Sequence, residues 1–437
     1  LTTPLAPRFT GALGALSADD RAIIVARADT AHDPRLEARV REILARVREH
    51  GDRALVELTR EIDGVELGAV EVPRAEWDRA YGALADGVRR GLERAAKNIE
   101  TVHRAFLPGP VEVETEPGIV VGRRPDPLAA VGVYAPGGRA AYPSSVLMGV
   151  VPARVAGVGE IVVCSPPQRP SGLPSDVVLA AARIAGASRV FSLGGAHAVA
   201  ALAFGTATVP RVDRIVGPGN AYVAEAKRLV AGTVGIDSPA GPSEILILAD
   251  RDADPACVVR ELLAQAEHDP FASCVALVET ERRADAILAL LASATPKKRD
   301  IVASALSSRG AVLHVDAMSD AVPFVAEYAP EHLLLAVADP DVLLAECRHA
   351  GTVFLGEAAS VAFGDYMTGA NHVLPTAGYA RSMSGLSSLD FVRWTTWQRV
   401  SPEAAARMAD DVGLLADAEG LPSHADAARA LGKKGAP

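Results

Sequence analysis

The chain has 437 residues, 49% apolar and 22% charged, with a formal net charge of −10. At about 100–200 residues per domain that predicts two to four domains, and it excludes both a disordered chain and a small disulfide-stapled one. An acidic chain without a Lys/Arg block is no nucleic-acid or anionic-membrane binder, and no apolar run reaches the roughly 18 residues of a membrane span. Cys164, Cys257, Cys274 and Cys347 are widely spaced with no Cys-x-x-Cys, so thiolate zinc clusters and thioredoxin-like chemistry drop out, and reduced thiols without a visible signal peptide predict the cytoplasm.

Leu36–Arg48 and Ala75–Glu100 carry apolar residues at three- and four-residue intervals among Arg and Glu, which predicts helix. From about residue 129 short β-rich runs appear: Ala129–Tyr134, Glu160–Cys164, Arg189–Leu193, Arg214–Val216, Glu244–Leu248, Cys274–Val278, Ala311–Val315, His332–Ala336 and Thr352–Leu355. Most lead through a turn into a helical stretch. Such alternation predicts an α/β fold, and nine strands predict two parallel-sheet units rather than one. Ligands then belong beyond the carboxyl ends of the strands, in the strand-to-helix turns. Ser401-Pro402 predicts a helix start, running to about Ala418, with a second short helix after Ser423. Two such helices cannot form a core alone and must dock elsewhere.

Several clusters suit chemistry. Gly194-Gly195-Ala196-His197 and Gly217-Pro218-Gly219-Asn220 each follow a strand and open a helix. Their N–H groups could approach a phosphate, although glycines also simply make tight turns. Gln265 and His268, three apart at a helix's carboxyl end, share a face and could grip zinc, or form an ordinary polar helix end. Glu331-His332 before a strand suits acid/base work, or an exposed polar turn. Asp365, in a Gly-rich polar loop, could be a third metal ligand, with His372 bracing the loop. His424 sits in a first helical turn, with Ser423-x-x-Asp426 reading as a capping box. His32, His50, His103, His314 and His349 have no partner motif and read as structural.

Together these strings resemble the histidinol dehydrogenase family. The matching segments are Val131–Gly138, Gly217–Asn220, Ala240–Glu244, Gln265–His268, Tyr328–His332, Gly364–Tyr366, Asn371–Thr376 and Glu419…His424. They run in order from about residue 40 to 430. The resemblance implies oxidation of L-histidinol through L-histidinal to L-histidine with two NAD+ and one Zn2+. It implies Gln265, His268, Asp365 and His424 as zinc ligands and Glu331 and His332 as the acid/base pair. Ser243, Glu419, His332 and the metal ligands would contact substrate; Tyr134, His197 and Asn220 would contact NAD. His197 stands where the family usually has Gln. The resemblance also implies a homodimer whose tail reaches across a two-fold axis.

The expected fold is two Rossmann-like parallel-sheet domains with an N-terminal helical segment and a small C-terminal helical tail. The expected division is 1–24 for the helical segment, 25–133 plus 243–386 for the first α/β domain, 134–242 for the second on the NAD side, and 387–437 for a dimerisation tail. Two rivals remain at this point. One is a related zinc/NAD dehydrogenase of another polar alcohol, which the presence of Glu419 and Ser243 disfavours. The other is a non-catalytic two-lobed nucleotide-binding module, which leaves the Gln/His/Asp/His set and the Glu-His pair without a purpose.

Overall fold

The computed structural model describes residues 4–27, 33–137, 141–238 and 241–434. Its strands, in chain order, are β1 (Phe9–Ala12), β2 (Val111–Glu116), β3 (Ile119–Pro127), β4 (Ala130–Tyr134), β5 (Glu160–Ser165), β6 (Arg189–Ser192), β7 (Arg214–Val216), β8 (Gly235–Ile236), β9 (Glu244–Ala249), β10 (Ser273–Glu279), β11 (Ala311–Val315), β12 (His332–Ala336), β13 (Thr352–Leu355) and β14 (Val392–Val400). The nine strands predicted from sequence are all present, with ends within one residue.

Two sheets are wholly parallel. One has the order β1-β11-β10-β9-β12-β13 and the other β6-β5-β4-β7-β8. Apart from the edge strand β1, each begins at an inner strand, steps outward through the next two, then returns to pair on the inner strand's other side. The strand order therefore reverses between β9 and β12 in one sheet and between β4 and β7 in the other. The inner strands are buried on both faces, as parallel sheets require when helices cover them. Every residue of Glu244–Ala249 and His332–Ala336 is buried.

The packing corrects three expectations. The first 24 residues are not only helical, because Phe9–Ala12 extends the six-stranded sheet by pairing with β11; Phe9 is the apolar anchor that makes the edge worth joining. Residues 34–105 pack on the five-stranded sheet, not on the six-stranded one to which 25–133 was assigned. Val40, Ile43 and Val47 join Val162 and Phe191 on one face, while Ala95 and Ile99 join Val131 and Val133 on the other. Finally, the tail is not purely helical. Val392–Val400 pairs antiparallel with β3, which pairs with β2 in a third, three-stranded sheet.

Two local readings also change. The stretch 75–100 is two helices, Arg74–Ala83 and Asp86–Ala105, broken where Leu84 and Ala85 are extended. Ser423 lies inside the helix Pro422–Lys434 rather than capping it. By contrast, Ser401 caps Pro402–Ala418 by accepting from the Ala404 N–H.

His103 shows one structural histidine at work. Its Nδ1 accepts from the Ser388 N–H at 3.2 Å, and its carbonyl takes the Ser388 hydroxyl at 2.8 Å. Burial pushes the imidazole from 6.5 down to about 4. The unfolded chain therefore binds this proton at higher pH than the folded one. The stability it contributes is complete above about pH 6.5 and is lost as pH falls toward 4. Allowing for solvent screening, about 2 kcal/mol is expected to disappear across that window. In thermal melts from pH 7 downward, His103→Gln should flatten the loss by that amount. An unchanged slope would show that the ring does not resist protonation.

Candidate active site

β12 opens on His332, and the turn before it carries Glu331; both are buried, at 3% and 6% exposure. The register sets His332 beside Ile245, next to the first residue of β9. His332 Nδ1 lies 2.9 Å from the Glu244 carbonyl, so that nitrogen carries the hydrogen and donates it. Nε2 is left buried without a hydrogen-bond partner, 3.9 Å from Asp365 Oδ1. Glu331 Oε2 accepts from the Ser243 hydroxyl at 2.8 Å and the Glu244 N–H at 2.7 Å. Burial raises the Glu331 carboxyl, but His332, the Glu244 N–H and the Ser243 hydroxyl outweigh it and hold it below the ordinary range. Burial likewise opposes a proton on His332, yet the carboxylates of Glu331 and Asp365 keep the imidazole up at about 9. Gly351 completes the packing, since a Cβ there would sit 2.6 Å from the Glu331 carbonyl.

This pair lies at the amino ends of β9 and β12, not at the carboxyl ends where ligands were expected. The other lobe does follow that expectation. Tyr134 ends β4, and its hydroxyl accepts from the Gly195 N–H at 3.1 Å, at the start of the helix Gly195–Phe204. Gly217 follows β7 with φ +112°, and a Cβ there would meet the Tyr134 carbonyl. Only glycine allows that approach. Asn220 caps the next helix, Ala221–Val230, by accepting from the Tyr222 and Val223 N–H groups, and remains exposed. Tyr134, Gly195 and Gly217 thus converge at the carboxyl-end switch point between β4 and β7.

His197 is placed differently from expectation. Its side chain is fully enclosed, with Nε2 3.3 Å from Thr59 Oγ1 and 3.8 Å from Asp63 Oδ2. A nucleotide in this turn would meet backbone N–H groups rather than the imidazole. Burial lowers His197 to about 4 and raises Asp63 to about 6, the latter against Arg169.

Gln265 lies in the last turn of the helix Pro255–Ala266, buried at 2%, with its Nε2 unpartnered. His268 is not in that helix but in the exposed turn beyond it. Glu261 of the same helix accepts from the Val361 N–H, which ties it to the helix Val361–Tyr366 that carries Asp365. Gln265 and Asp365 each follow that bond by four residues. His372 Nδ1 donates to the Asp365 carbonyl at 2.9 Å, which braces the loop. Asn371 Nδ2 donates to the Met148 carbonyl in the other lobe, and Asn98 Nδ2 donates to the Met367 carbonyl. The two lobes therefore meet at this loop.

Glu419 and His424 are exposed on the terminal helices. That arm is joined to the body through β14–β3 and through Ser401 and Arg407, which bond the β2–β3 turn. Among the described residues, no three His, Cys, Asp or Glu side chains converge to hold a metal within one chain. Sequence reasoning missed Glu244 and Arg27. Glu244 was visible only as the start of a strand and the end of the Ala240–Glu244 segment, and Arg27 had no local signal at all.

A family profile described as histidinol dehydrogenase matches residues 26–431. The histidinol dehydrogenase of Methanosarcina mazei is 45% identical over 393 residues, covering 90% of each chain. That of Nitrosomonas europaea is 46% identical over 403 residues, covering 91% of this chain and 92% of its own. The crystal structure of histidinol dehydrogenase from Elizabethkingia anophelis superimposes with a TM-score of 0.94 at 31% identity, over 99% of both chains. The chain belongs to the histidinol dehydrogenase family of oxidoreductases.

Proposed function

We propose that this protein oxidises L-histidinol to L-histidine through L-histidinal, a four-electron reaction using two NAD+ and one zinc ion per subunit, in a homodimer that completes each site with the partner's tail. The observation that carries the chemistry is the buried Glu331–His332 pair, with one imidazole nitrogen fixed by a backbone carbonyl and the other left free.

His332 Nε2 has the lone pair to take the substrate hydroxyl proton once the ring is neutral. Glu331 has one oxygen committed to Ser243 and Glu244, which leaves the other to order or deprotonate the water that the aldehyde step consumes. The donor set supports zinc: a buried amide that would ligate through its oxygen and whose nitrogen has no partner, a half-buried carboxylate, and two imidazoles, from His268 and from His424 of the partner subunit. When bound, zinc supplies Lewis acidity toward the amino alcohol and NAD+ accepts hydride. Glu419 of the partner subunit offers a carboxylate for the substrate amine. The glycine turns after β6 and β7 supply N–H groups for the dinucleotide's phosphates.

The arm supports the dimer. Leu414 and Leu415 on it are 64% and 69% exposed, and β2 is exposed throughout. Apolar residues held out in this way suit burial against a second copy. Among the described residues no helix is long and apolar enough to cross a membrane. The four cysteines are buried and unbridged, which supports the cytoplasm as its compartment.

Purified protein mixed with L-histidinol and NAD+ should release two NADH for each histidine formed. It should carry about one zinc per chain, as one tetrahedral site implies, and chelation should stop turnover until zinc is returned. Failure to reduce NAD+ with histidinol, in zinc-loaded protein, would overturn the substrate assignment.

A further inference from the structure

Behind the Glu331–His332 pair lies a second, buried polar layer. Arg27 and Glu244 are 3% and 2% exposed, and Arg27 Nε donates to Glu244 Oε1 at 2.8 Å. The other end of the guanidinium donates to two successive carbonyls, those of Tyr328 and, at 3.2 Å, Ala329. Its Cζ also lies 3.4 Å from the centre of the Tyr328 ring, whose hydroxyl donates to Ser273 at 2.7 Å. Ala329 has φ +49°, a left-handed conformation that its Cβ disfavours. Glu331 follows two residues later.

Glu244 reaches the pair from the other side. Its carbonyl takes the His332 Nδ1 hydrogen and its N–H donates to Glu331 Oε2. Its carboxylate accepts from the Ala377 N–H at 2.7 Å and the Glu331 N–H at 3.4 Å. Thus one guanidinium grips both the turn that delivers Glu331 and His332 and the residue whose backbone sets their tautomer and spacing.

We propose that Arg27 is a positioning residue for the reaction: acting through Glu244 and the Tyr328–Ala329 carbonyls, it fixes the Glu331–His332 pair in its working geometry. This rests on the reading of that pair as the acid/base machinery. An ion pair this buried is poor evidence for a stabilising role, because desolvation offsets much of the attraction. A planar fork reaches the carboxylate from one nitrogen and both carbonyls from another, whereas a lysine's donors all radiate from a single nitrogen and cannot span that spread. The N-terminal segment thereby becomes part of the active site without touching substrate.

The test compares Arg27→Lys, Arg27→Ala, Glu244→Gln and His332→Asn as zinc-loaded full-length proteins. Arg27→Lys can still pair with Glu244 but cannot hold both carbonyls. It should melt cooperatively and keep its Michaelis constant for histidinol within about threefold, while kcat falls about 10–100-fold, the scale of a small misplacement. Guanidinium added to Arg27→Ala should recover several-fold of the lost kcat without altering that of wild type. Where Arg27→Ala does not fold, Glu244→Gln serves. It keeps the size and one acceptor oxygen but turns an amide toward N–H donors, and should show the same selective fall in kcat. A folded Arg27→Lys with wild-type kcat would overturn the proposal. So would losses that follow the melting temperature and raise the Michaelis constant equally. If His332→Asn is itself fully active, the acid/base reading has failed instead, and the comparison separates the two.

Discussion

His332→Asn is expected to fold, keep its zinc and its affinity for histidinol, and lose about 10²–10⁴-fold in kcat, the usual contribution of a positioned general base. The asparagine amide can occupy the place of the Nδ1 hydrogen and still donate to the Glu244 carbonyl, so the strand start keeps its bond. What it cannot supply is the lone pair that Nε2 offers once the ring is neutral, on a nitrogen that in the native side chain is buried and uncommitted. The loss should therefore appear in turnover, with little change in the Michaelis constant, because an interaction made only in the transition state is removed. Stopped-flow NADH formation with saturating histidinol and NAD+, alongside metal content and a thermal melt, measures all of these. Turnover close to wild type in a folded, metal-loaded variant would remove His332 from the proton transfer.

How much of this was legible in the sequence depended on whether a residue's partners were close in the chain. Nine of the eleven strands of the two parallel sheets were, because most are runs of buried apolar residues between turns. Glu244–Ala249 and His332–Ala336 have no exposed position at all. The third sheet was not. β2 reads Val-Glu-Val-Glu-Thr-Glu and is exposed along its whole length, so it leaves no core signature. β1 buries a single residue, Phe9, and pairs with a strand some three hundred positions away.

The site shows the same division. Adjacent Glu331 and His332 suggested acid/base work because neighbours in sequence must also be neighbours in space. Arg27 bonds Glu244 and Tyr328 across separations of 217 and 301 residues, and no local pattern encodes that. The rule that ligands lie beyond strand carboxyl ends located Tyr134, Gly195 and Gly217, which surround a switch point of one sheet. In the other sheet the buried Glu331–His332 pair lies at the amino ends instead. The carboxyl ends of one sheet and the amino ends of the other come together because the loop carrying Asp365, Asn371 and His372 bridges the lobes.

The remaining large effect is expected from mixing two inactive variants. His268 sits on the body beside the end of its helix, whereas His424 sits on the arm, exposed with Glu419. The arm's links to its own chain run through β14 and the β2–β3 turn, and its leucines stand out in solvent. In the proposed two-fold dimer an arm of this kind would exchange reciprocally, so each site would take His268 from one chain and His424 from the other. His268→Ala and His424→Ala should each be inactive as homodimers. Unfolded together and refolded at equal concentration, random pairing makes about half the dimers mixed, and each mixed dimer has one site with both lesions and one with neither. Roughly a quarter of the wild-type sites, counted by zinc content and by histidinol oxidation, should then return. If each site were built within one chain, every site would keep a lesion. No recovery, with mixed dimers confirmed by mass, would therefore reject the shared site and return His424 to a role on its own arm.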